Sequence, residues 1–376
     1  MNLRVIKKEN GFSFVDFILL TLIIFCSIFI FFIINGNNKV AENSNVKTEE
    51  FDTSSQWKNS IKETENIPTQ SLNVSLNTYN VENIDTNINT DNSSDSYKKY
   101  FYNQLNMGSK NVYKQILNNI DALKSGDKEI NFSDDSVDVD KNFQSAWDAL
   151  MMDNPEIFFV NTNNITLETR TDRKIWESKL KYSYKLMPKQ GKKYYLDAWN
   201  NEEELEKSIK GLNEKVNGIL SGASGSRFDK VKYIHDYLVD NVEYDKNDRI
   251  NNGNLYGALI EGSAVCEGYS KAFQYLLNLL DIPNVLVYGD GINSNNEKEY
   301  HSWNYVQMED GKWYAVDTTW DDPIIVGNGK ITDKIKHEYF LKGSDSFFDK
   351  HKENSDVSGT EQNFKYIEIS KTDYNN

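Results

Sequence analysis

The feature that most constrains the fold of this chain is an apolar run near its start. Residues 12–34 read FSFVDFILLTLIIFCSIFIFFII and carry a single charge, Asp16. At about 1.5 Å of rise per residue, a helix of this length spans the roughly 30 Å hydrocarbon core of a bilayer. The run exceeds the about 7 to 15 apolar residues of a cleavable signal peptide. It predicts an uncleaved transmembrane anchor, which leaves the rest of the chain to form any globular fold.

The charges around this run predict its orientation. Arg4, Lys7 and Lys8 precede it, whereas residues 35–50 set two lysines against three glutamates. Because basic residues favour the cytoplasmic side, residues 1–11 are expected in the cytoplasm and the chain after residue 35 outside. The predicted localisation is the cell membrane, with a single pass and with the main part of the chain extracytoplasmic.

A second interpretation of the N-terminus is a type IV prepilin leader. The sequence KKENGF at residues 7–12 would be cleaved after Gly11, which places Asp16 at the fifth mature position. That family uses Glu at this position, and no pilin-like body follows in the sequence. The transmembrane anchor therefore remains the preferred prediction.

The segment after the run is polar, and the whole chain is acidic. Residues 35–96 are dominated by Asn, Ser, Thr, Asp and Glu without a sustained apolar period. Such a segment cannot bury enough surface to offset its ordering entropy, so it is predicted to be a disordered stalk. The net charge of −15 would be repelled by a nucleic-acid backbone. No nucleic-acid partner is expected.

Periodic segments predict an α+β arrangement for the remainder. Residues 97–200 combine helical patterns, including 143–152, with three predicted short strands at 157–160, 165–167 and 180–186. They form a predicted N-terminal α+β region. Residues 201–376 form the second predicted domain, which begins with two helices.

Those two helices are predicted at about 202–220 and 228–241, with a Ser/Gly-rich turn between them. His235 lies one residue beyond the apolar face of the second helix. It is interpreted as a partly exposed residue beside Asp236, outside any catalytic site.

The cysteine content focuses attention on one residue. Cys26 lies inside the apolar run, so Cys266 is a buried inert thiol, an intermolecular linker or a partly exposed nucleophile. Residues 262–280 run from a glycine-containing turn into a helix that ends before Pro283. Cys266 is therefore predicted at a helix N-terminus, where free N–H groups favour a thiolate and can bind an oxyanion. Gly268 is expected to keep the approach open.

The following hairpin decides whether His301 can meet Asp317. Two predicted strands flank residues 309–311. A three-residue loop with Gly311 in a left-handed bulge makes His301 a diagonal neighbour of Asp317 on one sheet face. A two-residue loop would put the two side chains on opposite faces. A working His–Asp pair therefore predicts the bulged turn.

Three blocks of this sequence resemble bacterial transglutaminase-like proteins. They are Gly262-x-x-Val265-Cys266-Glu267-Gly268-Tyr269-Ser270-Lys271-Ala272-Phe273, His301-Ser302-Trp303-Asn304 and Trp313-Tyr314-x-Val316-Asp317-Thr318-Thr319-Trp320-Asp321-Asp322-Pro323. With their connections they cover about residues 228–345. The resemblance implies a papain-like α+β core with Cys266 as nucleophile, His301 as base and Asp317 as orienting acid. It also implies an upstream aromatic that assists the oxyanion, for which Tyr244 is the candidate.

The same resemblance implies an extracytoplasmic thiol enzyme that performs acyl transfer or hydrolysis at protein or peptide amide bonds. Such a cysteine acyltransferase or peptidase passes through a Cys thioester. The alternatives are a non-catalytic transglutaminase-like module for binding or envelope assembly, and a pilus-like component that depends on the Gly11 leader. Val-Cys-Glu-Gly replaces the Gln-Cys-Trp of animal transglutaminases, so their calcium dependence and glutamine cross-linking are not implied.

The expected partners are protein or peptide substrates at the cell surface and the membrane, through residues 12–34. No cofactor is expected. No metal is expected either, because one Cys and one His at the separation of Cys266 and His301 do not form a zinc ligand set. Trp303, Trp313 and Trp320 are interpreted as pocket walls and core, and Asp321 and Asp322 as turn formers.

Overall fold

A computed structural model describes residues 96–133, 137–172, 181–293, 296–322, 332–354 and 363–375, all within the compact unit Val74–Asn376. The predicted N-terminus, the anchor at 12–34 and the stalk up to residue 95 lie outside these residues. Across the described ranges, no helix is both long enough and apolar enough to cross a membrane.

Four helices open the described chain: α1 (Tyr100–Gln104), α2 (Met107–Leu117), α3 (Ile120–Ser125) and α4 (Val139–Asp153). Side chains of Asn106 and Asp138 cap α2 and α4 by accepting backbone N–H groups of the first turn. Asp153, at the end of α4, accepts the backbone N–H groups of Phe101 and Tyr102 at 2.9 and 2.8 Å. These bonds join the start of the region to its longest helix.

A three-stranded antiparallel sheet completes this region. Its strands are β1 (Ile130–Asn131), β2 (Ile165–Asp172) and β3 (Lys181–Pro188), in the order β1-β3-β2. The predicted strand at 157–160 is wrong, since this segment makes only an isolated bridge between Val160 and Tyr195. Its apolar side chains are buried within a turn that follows Pro155. Apolar runs of this length fit a buried turn as well as a strand.

The two helices predicted next are present as α5 (Glu202–Leu220) and α6 (Arg227–Asn241). A reciprocal capping box between Ser226 and Asp229 fixes the start of α6. The interpretation of His235 as partly exposed is wrong, because its side chain is fully buried. The turn after Asp317 covers it, as described below.

The second half is built on a four-stranded sheet. A short parallel pair, β4 (Glu243–Tyr244) and β5 (Ser263–Ala264), leads into helix α7 (Cys266–Leu279). The sheet strands are β6 (Asn284–Ile292), β7 (Lys298–Gln307), β8 (Trp313–Val316) and β9 (His351–Glu353), in the order β8-β7-β6-β9. Two single-turn helices, α8 (Asp333–Lys336) and α9 (Ser344–Phe347), precede β9.

Helix α7 packs across β6 and β7 and closes this core. Its buried face includes Tyr269, Phe273 and Leu276. Asn304 on β7 donates to the backbone oxygen of Ser270 at 3.1 Å, which ties the helix to the sheet. The connection between β6 and β7 is short, because the two strands continue as a ladder to the pair Ile292 and Lys298.

The predicted hairpin register is confirmed. Asn304 pairs with Val316 and Gln307 with Trp313, as a three-residue loop requires. The amide of Met308 donates to Lys312, and Gly311 has a φ of 77°. Only glycine adopts this conformation without strain, which explains the residue type in the turn.

The two predicted regions share one apolar core. Buried residues of 101–220 and of 231–364 belong to a single cluster. Gln274 of α7 donates to the backbone oxygen of Met152 at 2.9 Å, and the hydroxyl of Tyr100 donates to that of Lys365 at 2.8 Å. A domain boundary at residue 200 stays a prediction.

Candidate active site

Cys266 is the first residue of α7. Val265 before it is extended and offers no side-chain cap to the helix. The N–H groups of Gly268 and Tyr269 donate to the backbone oxygen of Val265 at 2.9 and 3.2 Å, so those of Cys266 and Glu267 are the N–H groups at this helix start that helix geometry leaves without an acceptor. Cys266 is 9% exposed, so the expectation of a partly exposed thiol is wrong in degree.

Gly268 contributes to this close packing. A Cβ at this position would lie 2.5 Å from the backbone oxygen of Asn252 and 2.7 Å from the Cβ of Ala264. The glycine therefore lets the helix approach the segment before it, and it does not open a path for substrate as predicted. The backbone of Val265 is held by the same segment, donating to the oxygen of Asn252 at 2.9 Å.

His301 and Asp317 meet on the sheet. His301 on β7 places Nε2 at 2.6 Å from Oδ2 of Asp317, which directly follows β8. Both side chains are buried. The bulged turn at Gly311 sets this neighbourhood, because it fixes which residues of the two strands share a face.

The thiol completes the line of contacts. The thiol of Cys266 lies close enough to His301 to help raise the pKa of the imidazole, in addition to the effect of Asp317. Since Nε2 is engaged by Asp317, Nδ1 is the nitrogen that remains for the sulfur. The structure thus brings together the three residues proposed from the sequence.

Asp317 accepts four hydrogen bonds. Oδ1 accepts the backbone N–H groups of Thr319 and Trp320 at 3.0 and 3.1 Å. Oδ2 accepts from His301 and also from Nε2 of His351, at 2.9 Å. The carboxylate is therefore fixed by its own turn on one side and by two imidazoles on the other.

These contacts shift the pKa values in opposite directions. Burial opposes the charge of Asp317, but the histidine contacts outweigh it and hold the pKa of Asp317 below its ordinary value. Burial also opposes the imidazolium of His301, yet the charge of Asp317 and the bonds to Asp317 and Cys266 raise its pKa. Burial and the neighbouring His301 lower the pKa of His351 despite Asp317. His301 is thus the ring that holds the proton.

His351 is the residue that sequence reasoning missed. It begins β9, 34 residues after Asp317, and no spacing in the sequence connects the two. Its ring stacks on Phe347 at 3.8 Å between centroids and contacts Trp320 at 4.4 Å. The rarity of histidine, with four in the chain, was the only available signal.

Aromatic rings form the wall around the pair. Trp320 stacks on His301 at 4.8 Å, and Trp303, fully buried, contacts His351 edge-on at 5.0 Å. The interpretation of these tryptophans as wall and core agrees with this packing. Low polarity around the pair strengthens its electrostatic contacts.

Two tyrosines mark the open side of the site. Tyr244 of β4 is 41% exposed and Tyr300 of β7 is 58% exposed. Burial raises the pKa of each hydroxyl, and the negative charge of a Cys266 thiolate contributes in both cases. Both rings therefore lie near the thiol, and both keep their protons at neutral pH.

The acidic neighbours have structural partners. Glu267 binds Lys271 at 2.7 Å and accepts from the hydroxyl of Tyr288 at 2.8 Å. Asp321, interpreted as a turn former, is fully buried and accepts the backbone N–H of Tyr339 at 2.8 Å. Asp322 accepts the hydroxyl of Tyr269 at 2.6 Å. Each carboxylate supports the surrounding elements and leaves Asp317 as the partner of His301.

Residues 214–318 match the model of the transglutaminase-like superfamily. Among solved structures, a TGase is 16% identical, with 56% of this chain and 55% of that chain covered and a TM-score of 0.28. A candidate cysteine protease from Cytophaga hutchinsonii is 14% identical, with 43% and 68% covered and a TM-score of 0.25.

A third similar structure is that of menin, which reveals the binding site for the Mixed Lineage Leukemia (MLL) protein. It is 20% identical, with 35% of this chain and 28% of that chain covered and a TM-score of 0.23. The match to the TGase spans about half of that protein's length. No curated protein sequence matches this chain.

Proposed function

Since residues 214–318 match the model of the transglutaminase-like superfamily, we propose that the protein performs acyl transfer or hydrolysis at protein or peptide amide bonds. The observation that carries this proposal is the convergence of Cys266, His301 and Asp317, since His301 binds Asp317 at 2.6 Å and the thiol of Cys266 helps raise the pKa of His301. Three separate elements, α7, β7 and the end of β8, supply these residues. Each residue type fits one role in thiol catalysis.

The reaction begins with the transfer of the Cys266 proton to Nδ1 of His301. Asp317 holds the proton on Nε2 and stabilises the resulting imidazolium. The thiolate attacks the amide carbon, and a C–S bond forms. The imidazolium then donates its Nδ1 proton to the leaving nitrogen as the C–N bond breaks, which leaves a thioester on Cys266. Water or an amine then attacks the thioester carbon while His301 takes its proton, and the C–S bond breaks to release an acid or a new amide as the sulfur recovers the proton from His301.

The negative oxygen of the tetrahedral intermediate needs donors. The uncapped N–H groups at the start of α7 are next to the thiol and carry the positive end of the helix dipole. The hydroxyl of Tyr244 is a second donor, because its raised pKa keeps it protonated and its ring lies near Cys266. This supports the role that the sequence suggested for Tyr244.

The open side of the site suits an extended peptide. Tyr244 and Tyr300 are exposed aromatic rings close to the buried sulfur. Such rings offer large contact areas and hydroxyl hydrogen bonds at low entropic cost. A side chain or backbone amide that extends from a protein surface can reach a thiol with 9% exposure, whereas a bulky folded surface cannot.

Incubation with glutamine-containing peptides, with and without a primary amine, tests the reaction. Mass spectrometry distinguishes deamidation, an amine adduct and chain cleavage, which identify the acceptor and the bond attacked. Cys266→Ala is the matched control and should abolish every product. If no peptide changes with any acceptor while the protein still binds peptides, the non-catalytic alternative is supported.

Thiol labelling tests the site without a known substrate. Iodoacetamide should modify Cys266 of the native protein near neutral pH, because a His301 imidazolium favours the thiolate. His301→Ala should slow this labelling. Labelling that occurs only after denaturation would mean that Cys266 is an inert core thiol.

We further propose that residues 12–34 anchor the enzyme in the membrane with the catalytic part outside. Their apolar length and the preceding Arg4, Lys7 and Lys8 support this proposal. Protease added to intact cells should remove the catalytic part. A protected full-length chain would reverse the orientation, and a mature product that begins at Phe12 would favour the prepilin interpretation.

A further inference from the structure

A second group of histidine and aspartate side chains lies outside the Cys266 site. On α6, Nδ1 of His235 is 2.9 Å from Oδ1 of Asp236. Nε2 of His337, 101 residues further along the chain, is 2.7 Å from the same oxygen. These three atoms all lie within 4.8 Å of one another. Nothing in the proposed reaction uses them.

The opposite nitrogen of each ring faces an acceptor. Nε2 of His235 lies 3.0 Å from Oδ2 of Asp321, and Nδ1 of His337 lies 2.7 Å from the backbone oxygen of Asp333. A ring nitrogen that faces an oxygen acceptor carries the proton. The inward nitrogens, Nδ1 of His235 and Nε2 of His337, face Oδ1 of Asp236 and share hydrogen with it, so a bound metal ion would replace the bridging hydrogen there while the outward nitrogens keep theirs.

Three possible ligand atoms thus converge on one point, where a single cation could take the place of the bridging hydrogen. We propose that His235, Asp236 and His337 bind one divalent transition-metal ion of the Zn²⁺ class. Two imidazoles and a carboxylate form a common ligand set for this class, with a water or another oxygen in the remaining position. Asp321 and the Asp333 carbonyl are the outer partners that such histidines require.

Lys232 supplies positive charge at the same point. Its Nζ lies 2.6 Å from Oδ2 of Asp236 and 3.0 Å from Nε2 of His337. An ammonium group and a metal ion cannot both occupy this position, so they compete. Since the lysine side chain is 34% exposed, it can turn toward solvent when a metal binds.

The site connects to the turn that carries Asp317. Asp321 accepts from His235 through Oδ2 and from the backbone N–H of Tyr339 through Oδ1. Its own backbone N–H donates to the oxygen of Asp317 at 3.1 Å. A metal on His235 would therefore restrain the turn next to the catalytic pair, without entering the reaction.

Metal binding to the full chain carrying Cys26→Ser and Cys266→Ala tests this proposal, because no thiol can then bind the ion. After equilibration with Zn²⁺ and removal of free metal, elemental analysis should find one ion per chain. Co²⁺ in its place should give visible absorption typical of a four-coordinate site. Asp321→Asn should weaken affinity by about 10- to 100-fold, as for other outer partners.

Further variants test whether the ion occupies this group of side chains. His337→Ala should lose the bound ion, whereas His351→Ala should retain it, because His351 belongs to the group around Asp317. Lys232→Met should raise affinity by removing the competing ammonium. Thermal unfolding without metal shows whether each variant folds. Absence of bound metal in the parent chain, or equal binding by the His337→Ala chain, would overturn the proposal in favour of a proton-bridged histidine network.

Discussion

At the scale of single residues, the position of Asp317 requires a carboxylate that accepts hydrogen bonds from several donors at once. Its buried carboxylate accepts two backbone N–H groups and two imidazole N–H groups, so both oxygens are fully engaged. This arrangement keeps the group ionised and its orientation fixed. The pKa of His301 depends on both the charge and the orientation of Asp317, so a substitution that changes either one has a measurable effect on that pKa.

Substitution Asp317→Asn should lower kcat strongly, because an amide keeps the shape but does not stabilise an imidazolium. The equivalent change in serine-protease triads costs about 10⁴-fold, and a thiol needs less help than a hydroxyl, so a smaller loss is expected. The alkaline limb of the pH–rate profile should also move to lower pH. Asp317 raises the pKa of His301, so loss of the Asp317 carboxylate lets the His301 imidazolium lose its proton at a lower pH. An unchanged limb would contradict this role.

His351 should act as a positioning residue for Asp317. The hydrogen bond from His351 lowers the pKa of Asp317, so His351→Ala should raise that pKa and move the acidic limb of the pH–rate profile upward. Loss of the hydrogen bond to the charged carboxylate should also lower the free energy of unfolding by about 1.5–3 kcal/mol. His351→Gln retains an N–H donor and should restore the limb in part. A structural defect alone would lower stability in both variants without moving the limb.

At the scale of elements, two glycines determine how the site is assembled. Gly268 lets the start of α7 approach the backbone of Asn252, and Gly311 lets the hairpin turn with the register that aligns His301 with Asp317. Gly268 is required because a side chain has no space there, and Gly311 is required because its backbone conformation disfavours a side chain. Substitution of each glycine is therefore expected to destabilise the protein for a different reason.

Gly268→Ala should destabilise the fold by about 1–3 kcal/mol, as overpacking of a closed core does. Its Cβ would lie 2.5 Å from the oxygen of Asn252, so α7 must shift and carry Cys266 away from His301. Denaturant unfolding and thiol labelling measure the two effects. Gly211→Ala in α5 is the control, because no atom lies within 4 Å of its Cβ and it should stabilise by about 0.5–1 kcal/mol. Equal stability of the Gly268→Ala protein would remove the packing argument.

Gly311→Ala should destabilise the hairpin by about 1–2 kcal/mol, although no atom lies within 4 Å of the added Cβ. The cost arises because a φ of 77° is unfavourable for a residue with a side chain. Activity should fall only in the fraction of molecules in which β7 and β8 no longer pair in the native register. Denaturant unfolding together with the labelling rate of Cys266 tests this, and a neutral substitution would mean that the turn relaxes to another conformation.

At the scale of the whole molecule, the region before residue 200 supports the site from a distance. It supplies Met152, whose carbonyl accepts from Gln274 of the cysteine helix, and Lys98, which pairs with Asp281 at 2.7 Å just beyond the end of that helix. Apolar residues of both halves belong to one core cluster. The second half thus shares its larger apolar core with the region before residue 200, and only a smaller cluster around Trp303 and Phe347 lies within it alone.

A chain shortened to residues 201–376 should therefore fail to fold stably, whereas residues 96–376 should unfold in a single cooperative transition. The shared apolar surface would be exposed to water in the shorter chain, at a cost of about 25 cal/mol per Å². Thermal unfolding followed by circular dichroism compares the two. A cooperative transition in the shorter chain would support the domain boundary at residue 200 that the sequence predicts.

Much of the fold could be derived from local patterns. The helices at 202–220 and from Cys266 follow from apolar spacing and from Pro283, and they depend on neighbours in the sequence. The turn at residues 309–311 allowed two registers, and the requirement that His301 meet Asp317 selected the one that the structure has. The resemblance of the three blocks to a known family then directed attention to Cys266, His301 and Asp317.

The tertiary structure decided what depends on distant partners. The apolar run at 157–160 forms a buried turn because the surrounding core, and not the local pattern, sets its backbone. His351 reaches Asp317 from β9, and His337 reaches Asp236 on α6, through pairings across 34 and 101 residues. Sequence spacing carries no information about such contacts, because the path of the chain between them decides which side chains meet.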